Sequence, residues 1–313
     1  MNISFLDPLV RAWHRARTML FGGLDVGGWF VLGFSAWVAG LADGRNSTSG
    51  LDLNWKHGGQ PYPGFPDLAT FIHRVQESAP WIFLAVFGGL VALVIGILLL
   101  WLSSRAKFVF LDNVLHRRAQ MVDPWNRYAR LGDSLFLWRL VFSALVFLVV
   151  LGVIIPVILA TGIGTHFGWS DLLTGGMVIL LVFSILLIVI PVAYVQLLLD
   201  DFIVPIMYSR NISTTAAWGV FLPLFRREFV YFILYGFLVL VLWIGVALGI
   251  TFLGLATCCV GFLILAIPYI NSVVLLPVSV TYRAYSVEFL GQFGGDFALI
   301  PAVEASEPPS PRP

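Results

Sequence analysis

The chain has 313 residues, of which 59% are hydrophobic and only 11% charged. Soluble domains carry about 25% charged residues, so a chain this depleted cannot cover its surface for water, and lipid must solvate much of it. A net charge of +1, with no arginine- or lysine-rich run, excludes a nucleic-acid binder.

The N-terminal stretch "DPLVRAWHRARTMLF" opens on Asp7-Pro8, a pairing suited to a helix start with Asp as N-cap and Pro at the first helical position. Trp13 lies among its arginines, as expected of an amphipathic helix resting in a membrane interface. Residues 1–25 therefore read as a cytoplasmic amphipathic segment. Val26 to Ala42 is uncharged but short and glycine-rich, so it either crosses the membrane, lies at the interface or forms the apolar part of a signal peptide.

Residues 43–66, rich in Gly, Ser, Asn and Pro, read as an irregular outer loop, followed by a helical stripe from Asp67 to Ser78 that Pro80 stops. Outer His57, His73 and His166 have no ligand spacing that would hold a metal, so no metal is assigned. Further spans are expected near 81–102, 136–161, 178–199, 229–255 and 258–282, each meeting the roughly 20 residues a membrane helix needs. Cys258 and Cys259 are adjacent in an apolar run and read as small membrane residues, not a disulfide.

Charge decides the first segment. If Val26–Ala42 crosses and the N-terminus is cytoplasmic, 15 of the 18 basic residues fall inside, leaving Arg45, Lys56 and Arg74 outside. This bias favours six spans with both ends in the cytoplasm. The fold expected is therefore all-α: a polytopic transmembrane bundle over 26–300 with amphipathic interfacial helices and a disordered tail at 301–313.

The inner connections carry the remaining signals. Ser103–Leu135 reads as a loop lying on the membrane, and "DPWNRYARLGDSLF" repeats the Asp-Pro helix start at Asp123-Pro124. Each inner piece has one Trp before the next span (Trp13, Trp125 and Trp218), a weak parallel pseudo-repeat of three units. Arg139 and Arg283 are expected to snorkel to the inner headgroups, which would include anionic lipids. Asp200 and Asp201 end a long uncharged run. They read as a helix exit at the cytoplasmic boundary, salt-bridged locally with Arg210, and secondarily as a cation or proton site. Gly245 and Gly249 could seat a neighbouring helix closely.

Three stretches resemble a group of uncharacterised bacterial multi-pass membrane proteins: "DDFIVPIMYSRNISTTAAWGVFLPLFRREFVYFILY", "PWNRYARLGDSLFLWRLVF" and "PYINSVVLLPVSVTYRAYSVEFLGQFGGDF". The first is more distantly similar to the membrane domain attached to some glycerophosphodiester phosphodiesterases. These motifs imply a membrane architecture and no activity. No phosphate-cradling loop, zinc-protease motif or nucleophile elbow is present, so no enzyme site or cofactor is assigned. The expected function is a non-catalytic scaffold or accessory subunit in a bacterial inner membrane, contacting lipid, another membrane protein or a second copy. The alternative is a carrier for a small or lipid-like solute.

Overall fold

The structure is a computed structural model describing residues 3–22, 25–43, 68–166, 171–257, 261, 265 and 267–299. The C-terminal tail, the outer loop beyond Asp43 and the Cys258–Cys259 pair lie outside the described residues. Every regular element described is helical: α1 (Leu6–Gly22), α2 (Val26–Gly40), α3 (Leu68–His116), α4 (Val122–Arg127), α5 (Ala129–His166), α6 (Asp171–Leu198), a π-helical turn (Leu199–Ile203), α7 (Val204–Arg210), α8 (Thr214–Arg227), α9 (Phe229–Ala256), α10 (Pro268–Val274), α11 (Leu276–Gly291) and a 3-10 turn (Gly295–Phe297).

Among the described residues, four helical stretches are long and apolar enough to cross a membrane: Val86–His116, Ala129–Val157, Ile179–Arg210 and Phe229–Ala256. Of the other two expected spans, 26–42 is described as a shorter helix and 258–282 lies partly outside the described residues. α2 has 15 residues, so it is about 22 Å long against a hydrocarbon core of about 30 Å. The last segment is broken near Leu275, between α10 and α11. Pro277, within the first turn of α11, has no N–H to continue an α10 ladder.

The packed interior is a base at one end of these helices, not a core running their whole length. α1 buries Ala12, Arg15, Ala16, Met19 and Leu20, one face at helical spacing, and leaves Trp13 half-exposed on the other. Phe108, Leu111 and Val114 of α3 join that core, as do Phe202 and Met207, Phe221 of α8, Phe232 of α9, and Tyr285 and Phe289 of α11. The ring of Phe202 stacks on Phe221 at 5.5 Å and meets Phe232 edge-on at 5.0 Å. The segment before α1 closes on the end of α11: Ser4 and Gln292 exchange two hydrogen bonds of 3.0 and 2.9 Å, and Arg11 pairs with Glu288 at 3.0 Å.

Away from the base the spans expose their apolar flanks. Phe83 on α3, Leu148 on α5, Phe183 on α6 and Phe252 on α9 are all more than 60% exposed. A polypeptide with such flanks is solvated by hydrocarbon.

Several local expectations change. Pro80 does not stop the stripe that precedes it, because α3 is continuous from Leu68 to His116. The same helix absorbs Ser103–His116, which is helical and, up to Val114, mostly buried in the base. Its C-terminus is capped from afar, where Arg15 Nη2 donates to the Leu115 carbonyl at 2.7 Å. Asp7 does not cap α1; its backbone N–H donates to Ser4 Oγ at 3.2 Å. The N-cap of α4 is Met121, with Asp123 inside the first turn, where it still favours the helix dipole. Gly245 and Gly249 face open space and seat no neighbour among the described residues.

Candidate functional site

The turn containing Asp200 and Asp201 is where the α6 ladder fails, for a sequence reason. Pro205 brings no N–H, and in an α-helix its ring would press on the carbonyl four residues back, that of Asp201. The chain widens into a π turn, in which the Val204 N–H donates to the carbonyl of Leu199, five residues back. By the same register the Asp200 carbonyl would take its bond from Pro205, which has none to give. Arg283 of α11 supplies it, with Nη1 2.5 Å from that oxygen.

This turn meets a buried ion cluster. Lys107 of α3 is 2% exposed and Asp200 4%. The Lys107 ammonium is ion-paired with Asp200 Oδ1 and lies 2.7 Å from Asp43 Oδ2. Arg139 of α5, also buried, pairs through Nη2 with the other oxygen of Asp43 and points Nη1 at the hydroxyls of Ser103 and Ser104, both at 3.4 Å. Ser103 in turn donates to the Ala39 carbonyl of α2 at 2.6 Å. Asp201 accepts a hydrogen bond of 3.0 Å from the Tyr235 hydroxyl of α9. The cluster thus ties the C-terminal end of α2 to α3, α5 and the π turn, with α9 and α11 attached beside it. Three cations (Lys107, Arg139, Arg283) stand among three carboxylates (Asp43, Asp200, Asp201), so it is formally neutral.

These contacts revise the reading of the sequence at specific points. Asp200 takes Lys107 as its partner, 93 residues away; Arg210, the expected partner, stacks instead on Phe297 at 5.3 Å. Asp43 was expected on the outer side of the membrane and Lys107 on the inner. They touch, at the C-terminal end of α2. Arg139 turns into the protein and not toward headgroups, while Arg283 faces the π turn. Trp13, Trp125 and Trp218 occupy unlike settings. Trp13 is half-exposed, Trp125 meets Trp101 edge-on at 6.1 Å beside Arg105, and Trp218 stacks on Trp138 at 5.7 Å. A second buried acid went unnoticed in the sequence. Asp112 is 0% exposed and accepts from Tyr208 at 2.6 Å and Arg118 at 2.6 Å, fastening the end of α3 to α7.

Two cavities flank the cluster. One, of about 150 Å³, runs between α2, α9 and the α10–α11 break and includes Lys107, Asp201 and Arg283 among its walls. The other, of about 350 Å³, lies between α3, α5 and α6 and is lined by Leu100, Arg139, Ser143 and Gln196. Asp43 and Asp200 border both. Among the described residues no group of His, Cys, Asp and Glu could hold a metal ion.

The model of a family of unknown function, DUF7544, matches residues 3–276. The chain belongs to that family. The matched region contains Asp43, Lys107, Arg139, Asp200 and Asp201, while Arg283 lies beyond it. No curated protein and no solved structure matches the chain, so neither comparison extends the likeness to a phosphodiesterase membrane domain.

Proposed function

We propose that this protein is a non-catalytic membrane scaffold or accessory subunit, of a bacterial inner membrane, with both chain ends and the packed base on the cytoplasmic side. The observation that carries this reading is the uneven distribution of burial. The base is closed on itself by the ion cluster and by the Ser4–Gln292 pairing of α1's start with α11's end, whereas the spans leave apolar flanks for lipid, another membrane protein or a second copy. Arg17, Arg127, Arg130, Arg226 and Arg227 are exposed on the base, where they would meet anionic headgroups. Buried ion pairs contribute little net stability but are costly to break, and a fully paired cluster suits a fastener. Purification from native membranes in mild detergent tests the reading. A defined homo-oligomer or a stoichiometric membrane-protein complex is expected, and a monodisperse monomer would overturn it.

The second reading, a carrier for a small or lipid-like solute, is favoured by one observation: Asp43 and Asp200 stand between two cavities, at a break in a spanning helix. Solute flux into liposomes above that of empty vesicles, lost in Asp200→Asn/Asp201→Asn, would favour it over the scaffold.

A further inference from the structure

The cavity of about 150 Å³ between α2, α9 and the α10–α11 break is lined by groups of both charges and by an apolar wall. Lys107 and Asp200 are buried in their mutual pair, whereas Asp201 and Arg283 are half-buried beside them. Asp201 accepts from the Tyr235 hydroxyl, and Arg283 donates to the Asp200 carbonyl. A carboxylate offers about four lone-pair sites and a guanidinium five N–H donors, so neither group is used up by one such bond.

Charge narrows the occupant. Three carboxylates (Asp43, Asp200, Asp201) and two cations (Lys107, Arg283) line the cavity. Arg139, which lines the other cavity, offsets the third carboxylate by pairing with Asp43. An occupant with a net charge would lose its hydration without a net counter-charge to replace it. One bearing both an ammonium and a carboxylate is neutral overall and meets a partner for each, Asp201 for the ammonium and Arg283 for the carboxylate.

Shape narrows it further. Two helix discontinuities meet at this cavity: the π turn contributes Asp200 and Asp201, and the α10–α11 break contributes Leu275 with Ser272 and Ser279 on either side. Interrupted helices around a cavity are where membrane carriers build their solute sites. Much of the remaining wall is apolar, with Val239 and Val246 from α9 and with Trp243 stacked on Tyr282 at 5.6 Å. A space of this volume holds about one benzene-sized apolar group, so the occupant's side chain must be short.

We propose that this cavity binds a free amino acid with a short aliphatic side chain, of the size of valine. Its ammonium sits at Asp201, its carboxylate at Arg283 and its side chain against Val239, Val246 and Trp243. As a cargo site it rests on the carrier reading and names the solute class; as a binding site it requires neither reading.

The test is equilibrium binding of radiolabelled valine to the full chain in detergent micelles, read by scintillation proximity. Saturable binding is expected. Isovalerate, which lacks the ammonium, and isobutylamine, which lacks the carboxylate, should each compete more weakly than valine by about tenfold or more, because each forfeits a charge-assisted hydrogen bond. Asp201→Asn should weaken valine by about the same factor and leave isovalerate unchanged. Val246→Phe, which fills the apolar side of the cavity, should abolish binding while leaving the elution profile of the chain unchanged, and it reports even if Asp201→Asn folds poorly. Saturable binding without flux in the liposome assay would support the site and overturn the carrier reading alone. Absence of saturable valine binding, competition by the amine or the acid equal to that of valine, or undiminished binding in Val246→Phe would each overturn the proposal.

Discussion

Replacing Lys107 by Met is the most informative single perturbation of the cluster. Met keeps the length and most of the volume but removes the ammonium that bridges Asp43 and Asp200. Asp43 retains Arg139, whereas the Asp200 carboxylate, with a side chain only 6% exposed, loses its ion-pair partner. Breaking a buried pair from one side costs about 3–5 kcal/mol, because a buried charge is left uncompensated. Asp200→Asn should cost less, about 1–2 kcal/mol, since Lys107 still has Asp43. In Lys107→Met/Asp200→Asn no stranded charge remains at Asp200, so the double variant should be more stable than the sum of the singles predicts, by about 2 kcal/mol. Equilibrium unfolding in mixed detergent micelles, followed by far-UV circular dichroism, measures all three. A Lys107→Met loss below about 0.5 kcal/mol, or strict additivity, would refute the coupling.

Three further outcomes follow from local geometry. A Cβ at Gly132 would lie 2.6 Å from Arg105 Cγ and 2.9 Å from its Cα, so Gly132→Ala should force α3 and α5 apart and destabilise by about 1–3 kcal/mol in the same unfolding assay. Asp112→Asn should loosen the end of α3 from α7 and Arg118, costing about 1–3 kcal/mol and speeding amide exchange in 108–116. The Tyr285 hydroxyl is buried without a partner, and burial, then Asp201, push its phenol above its ordinary value. The unfolded phenol ionises near pH 10, so this residue contributes a loss of stability as pH rises past about 10. Tyr285→Phe should leave stability at neutral pH unchanged or higher and move the alkaline unfolding onset upward in a pH-jump thermal scan.

Much of the helical layout was legible because hydrophobic length is a one-dimensional signal. The four long apolar runs correspond to helices that pass the length and hydropathy needed for a span. Asp200 and Asp201, read as a helix exit, fall at a π turn inside a helical stretch that runs on to Arg210. Partners were not legible. Arg210 was the nearest cation in sequence, but ion pairs in a helical bundle are set by which helix ends meet, and α3 brings Lys107 to the turn. A signal for Lys107 was available. Ser103, Ser104 and Lys107 fall on one face of a helix continued past Leu102, a polar stripe hidden by reading that stretch as a loop. The π turn was also foreshadowed by Pro205, five residues after Asp200. At α2, a count of arginines on either side of the apolar segment could not register that Asp43, just past its end, is ion-paired with Lys107 and Arg139.

The C-terminal end of α2 lies beside the Leu102–Lys107 stretch of α3, which cross-linking tests directly. Leu41 and Leu102 both pack on the small cluster of Val38, Ala39 and Ala106. In a chain with Cys258 and Cys259 replaced by Ala, Leu41→Cys/Leu102→Cys should be joined in intact membranes by a short bifunctional thiol reagent. Failure to cross-link, with the two thiols labelled from opposite sides of the membrane, would put the residues about 30 Å apart and contradict the cluster.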